Sequence, residues 1–132
     1  IAFSTIVNDM HTVSQKQFED FVAQALDALP ERYQEHLSNV VIVVEDEPND
    51  EQRQKFHLYN GRTLFGLYEG IPLTRRGNYY SGVVPDKITI FKHPTEASAS
   101  NENELKEQIR HTVWHEVAHY YGLDHFDIAK RE

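Results

Sequence analysis

Near the C-terminal end, the stretch HEVAHYYGLDH from His115 to His125 carries the residue types of a metal-dependent hydrolytic site. His115 and His119 are four apart, so on a helix their imidazoles leave the same face about one turn apart. That spacing lets two ring nitrogens share one tetrahedral zinc at about 2.0–2.1 Å. Glu116 projects about 100° further round the helix. There it can reach a water on the metal without ligating the metal, which is the placement of the general base in the H-E-x-x-H pattern. Gly122 follows three residues after His119. Lacking a Cβ, it lets the chain turn sharply in a left-handed conformation, and His125 can return as a third ligand. Three protein ligands leave a fourth position for water, the mark of a catalytic rather than a structural zinc. Zinc would bring the pKa of that water to about 7 and polarise a carbonyl, with Glu116 taking the proton.

These residues must ride on a helix, and the sequence supplies one. Asn101 and Glu104 form a cap pair that opens it. Leu105, Ile109, Val113, Val117 and Tyr121 then fall on or near one stripe over about 20 residues, and Gly122 stands at the stop. At the other end of the chain, Ser14 and Gln17 read as a capping box and Pro30 closes the segment. Between them Phe18, Phe21, Val22, Ala25, Leu26 and Leu29 make one apolar helix face. A shorter helical piece is expected across Glu31–Leu37. The run Val40 to Val44 is β-branched, apolar on both faces and too short for a helix, which predicts a central strand. Glu45 to Gln54 reads as a solvated acidic loop, and Lys55–Tyr59 as a short strand or its approach. Asn60-Gly61 marks a turn. Thr63–Tyr68 reads as a second strand, and the segment from Gly70 to Asp86 as an ordered loop. Ile88–Phe91 reads as a third strand stopped by Pro94, with a polar stretch leading to Asn101. No repeat or linker divides the chain, so residues 1–132 are read as one domain. The order of elements implies an α+β fold, a small mixed sheet with helices packed on one side and the active-site helix near the C-terminus.

Composition narrows the chemistry further. The 132 residues are 39% hydrophobic and 11% aromatic, enough to bury a core without staples. There is no cysteine, which excludes disulfide scaffolds, Cys-based zinc sites, iron–sulfur clusters and thiol catalysis. With 13 Lys+Arg against 21 Asp+Glu, the formal charge of −8 disfavours nucleic acid or an anionic membrane as partner. No apolar stretch approaches the ~20 residues of a membrane helix. The first residues lack a basic segment followed by an apolar run, so no signal peptide is expected. A cytoplasmic location agrees with the missing disulfide framework.

Length separates the zinc-site subtypes. Thermolysin-like enzymes take a glutamate ligand from a second, downstream helix, which is not expected in the residues after His125. The extended H-E-x-x-H-x-x-G-x-x-H of metzincins fits, but their downstream Met-turn does not, since the sole methionine is Met10. Beyond the zinc motif, the blocks FEDFVAQALDALP, NVVIVVEDEP, GLYEGIPLTRRG, VPDKITIFK and HTVWHEVAHYYGLDH resemble a small bacterial family of minimal zincin-like metallopeptidases, also described as possible acidic zinc metallopeptidases. The resemblance covers most of the chain and implies a zincin-like α+β fold, bound Zn2+ and zinc-dependent cleavage of a peptide or protein substrate. Members of that family often carry Asp where His125 stands, so Asp124 and His125 are both candidates for the third ligand. The metzincin spacing favours His125. Asp124, Asp127 or Asp86 could then accept a hydrogen bond from a ligand imidazole.

Other features carry weaker signals. His111 continues the histidine row one turn earlier, where a surface role or support of the ligands fits better than ligation. Arg75 and Arg76 beside Tyr79 and Tyr80 could hold a peptide carboxylate or an oxyanion, although a solvated pair is the plainer reading. Ile88–Phe91 is the natural candidate for an edge strand that pairs with extended substrate. Two rival functions stay in view. One is a metal-bound, non-catalytic module that binds a peptide or protein. The other is a zinc-dependent endoribonuclease, because the terminal G-L-D-H is similar to the end of a short bacterial ribosomal-RNA maturation endonuclease. That family has Gly after the first His, where Glu116 stands here, and the acidic charge further disfavours RNA.

Overall fold

The computed structural model describes residues 10–70 and 86–123. Helix α1, Gln15–Asp27, begins where Ser14 accepts a hydrogen bond from the Gln17 N–H, and it buries Phe18, Phe21, Val22 and Ala25. A four-residue helix α2, Glu31–Gln34, and a 3₁₀ turn at Leu37–Asn39 lead into strand β1, Val40–Glu45. Helix α3, Asp50–Lys55, precedes strands β2, Gly66–Glu69, and β3, Asp86–Phe91. Helix α4, Lys92–Ala97, and the long helix α5, Glu102–Tyr120, follow. Among the described residues, no helix is long and apolar enough to cross a membrane.

The three strands form one mixed sheet in the order β1-β3-β2, with β1 parallel and β2 antiparallel to β3. Among the described strands, Val40–Val44, expected in the middle, lies at an edge, and Val41 is 43% exposed. The middle belongs to β3, where Ile88, Thr89, Ile90 and Phe91 are all buried. A β-branched run signals strand but not its rank in the sheet, which depends on what covers each face. Ile42 and Val44, in register with Ile88 and Ile90, point into the core formed with α1 and α5. Phe18, Ile109, Val113 and Val117 fill that core from the helices. The α+β fold with helices on one face is as expected.

Two short helices replace expected irregular segments. Helix α3 stands where an acidic loop and a short strand were read. Asn49 and Gln52 cap it reciprocally, at 2.7 and 2.9 Å, and acids in its first turn with bases in its last suit the helix dipole. Its residues bury only Gln52, so no apolar stripe announced it. Helix α4 contains Pro94, read as a strand stop. Proline is tolerated there because the first turn of a helix has no intrahelical use for its N–H. Asn60 and Gly61 both take positive φ, 59° and 81°, as the turn reading requires.

Candidate metal centre

Helix α5 opens where Asn101 Oδ1 accepts the Glu104 N–H at 2.9 Å. It ends in a Schellman turn. The Gly122 N–H bonds the His119 carbonyl at 2.9 Å, the Leu123 N–H bonds the Ala118 carbonyl at 3.0 Å, and Gly122 has φ 77°. The chain thus leaves the helix directly after the histidine pair. His115 and His119 are half-buried, and their ring centroids lie 4.6 Å apart. His111 is exposed, with its ring 6.4 Å from that of His115. Among the described residues, no group of three His, Cys, Asp or Glu side chains gathers at metal-binding distance. His125 and Asp124, the candidates for the third ligand, lie outside the described residues. So do Asp127, Arg75, Arg76, Tyr79 and Tyr80. Two imidazoles converging on one helix face fit zinc as two of its ligands.

Glu116 is 7% exposed and packs against β2. A Cβ on Gly66 would stand 2.6 Å from Thr112 Cγ2 and 3.1 Å from Glu116 Cγ, so only glycine lets β2 approach α5 this closely. The Phe91 N–H bonds the Phe65 carbonyl at 2.8 Å. By antiparallel alternation, the backbone groups of Gly66 and Tyr68 then point away from β3, toward the side of β2 on which no described strand lies. There the Tyr68 N–H donates to the Glu116 carboxylate. Burial raises the pKa of the Glu116 carboxyl from its ordinary 4.5 to about 7, outweighing the Tyr68 hydrogen bond, which pulls the other way. A cleft of about 280 Å³ lies over this corner, lined by Phe65, Gly66, His111, Thr112, His115 and Glu116.

Among the described strands, the one beside the histidines is therefore β2, not Ile88–Phe91, which is paired on both sides. Gly66 and Tyr68 were missed as site residues. A glycine inside a strand is the sequence signal for close backbone approach, but nothing local identifies the helix that approaches. Asp86 is buried, and its Oδ2 accepts from the Tyr68 hydroxyl at 2.7 Å, so it fixes the strand that holds Glu116.

The raised Glu116 carboxyl ties stability to pH in the metal-free protein. The unfolded chain ionises this group near 4.5 and the folded chain near 7. Its contribution is fully present below 4.5 and is lost as pH rises through 7. Between pH 5 and 8, in chelator, the wild type should lose about 2–3 kcal/mol relative to Glu116→Gln. Urea unfolding of both proteins at the two pH values checks this, and a constant difference would contradict it.

The model of one family, described as zincin-like metallopeptidase, matches residues 37–132 of the chain. No curated protein matches it.

Proposed function

The chain belongs to the zincin-like metallopeptidase family, and from that membership we propose that it is a zinc-dependent peptidase working in the cleft between α5 and β2. The observation that carries the reading is the placement of Glu116, a buried carboxyl next to His115 in the chain, beside two imidazoles whose rings lie 4.6 Å apart on one helix face. In this reading His115, His119 and His125 hold Zn2+, with Asp124 the alternative to His125. Zinc bound there supplies Lewis acidity for the scissile carbonyl and makes water acidic near neutral pH.

The chain's own residues do the rest. The backbone groups of Gly66 that point away from β3 pair with an extended peptide and hold its carbonyl over the histidine row. Glu116 accepts a proton from the attacking water on its carboxylate and returns it to the departing amine. The Tyr68 N–H keeps the carboxylate aimed along the strand edge. The substrate is a peptide or protein, with no nucleic-acid or membrane partner, and residues 1–132 act as one cytoplasmic domain. The direct test is to incubate zinc-reconstituted protein with a peptide library and map new termini by mass spectrometry. Discrete cleavages, abolished by chelator and restored by zinc, are expected. No cleavage at one zinc per chain would overturn the reading.

A further inference from the structure

A cavity of about 650 Å³ lies between α4, Arg53 of α3, residues 61–63 and the segment before α1, and none of its charged lining is shared with the cleft at β2. Its floor is a buried ion pair on α4. Lys92 Nζ stands 3.0 Å from Glu96 Oε2, and the two side chains are 11% and 2% exposed. The same Oε2 accepts the Val13 N–H at 2.8 Å. Both partners keep unused bonding capacity. An ammonium has three N–H donors, and among the described residues Lys92 spends one, on Glu96. Glu96 Oε1 accepts no hydrogen bond from the described residues. Among those residues Thr89 Oγ1 is the sole fully buried side-chain atom without a partner, so Glu96 Oε1 meets open space, and this cavity is open space that Glu96 lines. Arg62 stands exposed at the rim, with no hydrogen bond or ion pair among the described residues. Arg53 is held by the Pro48 carbonyl at 3.2 Å and loosely by Glu47 at 3.7 Å. His93 lies 3.5 Å from Glu47 and 3.8 Å from Asp46.

We propose that this cavity binds a free α-amino acid as its zwitterion, the ammonium at Glu96 Oε1 and the carboxylate at Lys92 Nζ and Arg62. The match follows from adjacency. Lys92 and Glu96 present spare donors and a spare acceptor side by side, and an α-amino acid carries its two charges on one carbon. A buried charge with spare capacity is stabilised by a partner that completes its hydrogen bonds. Arg53, Arg62 and Lys92 line the cavity together with two carboxylates, Glu47 and Glu96. A dianion such as phosphate would meet both carboxylates, and a simple cation would meet the three positive charges. A zwitterion answers both signs. The guanidinium fork of Arg62 suits a carboxylate. Met10, Pro94 and Ala97 supply an apolar wall for a small aliphatic side chain. The volume falls within the roughly 300–1,000 Å³ of small-molecule sites. The proposal uses neither the zinc ligands nor Glu116, so it stands apart from the peptidase reading.

The test is isothermal titration calorimetry of the full chain, freed of metal by chelator and dialysed, with alanine, leucine and methionine in turn. Removing metal keeps an amino acid from registering as a zinc ligand. At least one of the three should bind saturably at one site per chain. Its C-terminal amide and its N-acetyl form should each bind about tenfold more weakly or worse, the loss expected for one charged hydrogen-bonding group. Its dipeptide, whose charges are separated by a peptide unit, should also bind more weakly. Arg62→Gln, an exposed change that leaves the core untouched, should weaken the amino acid several-fold, and His119→Ala should leave its binding unchanged. No binding of any of the three, or equal binding of the amino acid and either blocked form, overturns the proposal. Inorganic phosphate binding more tightly than the amino acid would reveal a plain anion site and overturn the zwitterion. Binding lost in His119→Ala and kept in Arg62→Gln would place the amino acid at the histidines and overturn the assignment to this cavity.

Discussion

Glu116→Gln should lower kcat for peptide hydrolysis by about 10²–10⁴-fold while leaving bound zinc unchanged, the range that a positioned general base contributes. The substitution is nearly isosteric. The Gln carbonyl can still accept the Tyr68 N–H, so β2 and α5 keep their approach at Gly66. What is lost is an atom that can take a proton from water. The expected pattern is therefore specific: folded, zinc-loaded and inactive, and more stable than wild type above pH 7 when the metal is removed. A binding module would respond differently, because partner affinity would survive the change. Turnover of the variant within threefold of wild type would show that Glu116 is not the base.

Glu96→Ala should be the most destabilising single truncation among the described charged residues, at about 3–5 kcal/mol. Glu96 is 2% exposed, and its Oε2 accepts both the Val13 N–H at 2.8 Å and Lys92 Nζ at 3.0 Å. Removing the carboxylate leaves a mostly buried ammonium without its anion and frees the segment before α1, which also bonds the Glu96 carbonyl through the His11 N–H. Against a typical domain stability of about 5–15 kcal/mol, this is a large share. Urea denaturation measures it, with Glu96→Gln expected to cost less because it still accepts from Val13. A loss below about 1 kcal/mol would show that the pair contributes little.

What the sequence made legible follows from the range of each interaction. The helices α1 and α5 announce themselves through apolar periodicity and through the caps at Ser14 and Asn101, all of which act within a few residues. The i, i+4 histidines and Gly122 are equally local, and the structure places the pair on one helix face and the glycine in a left-handed turn. Helices α3 and α4 were hidden because neither shows an apolar stripe. The Asn49–Gln52 box was the available signal for the first. The exchange of β1 and β3 between edge and centre of the described sheet, and with it the identity of the strand beside the histidines, depends on strand pairing across more than forty residues. The burial of Glu116 is of the same kind, since it requires β2 to arrive with a glycine at position 66.

Metal content tests the central claim most directly. Purified protein, supplied with zinc and freed of excess, is assayed for bound metal beside His119→Ala. About one zinc per chain in the wild type, with most of it lost in the variant, is the result expected of a site built on the His115–His119 pair. No zinc in the wild type, or the same zinc in both proteins, would contradict it.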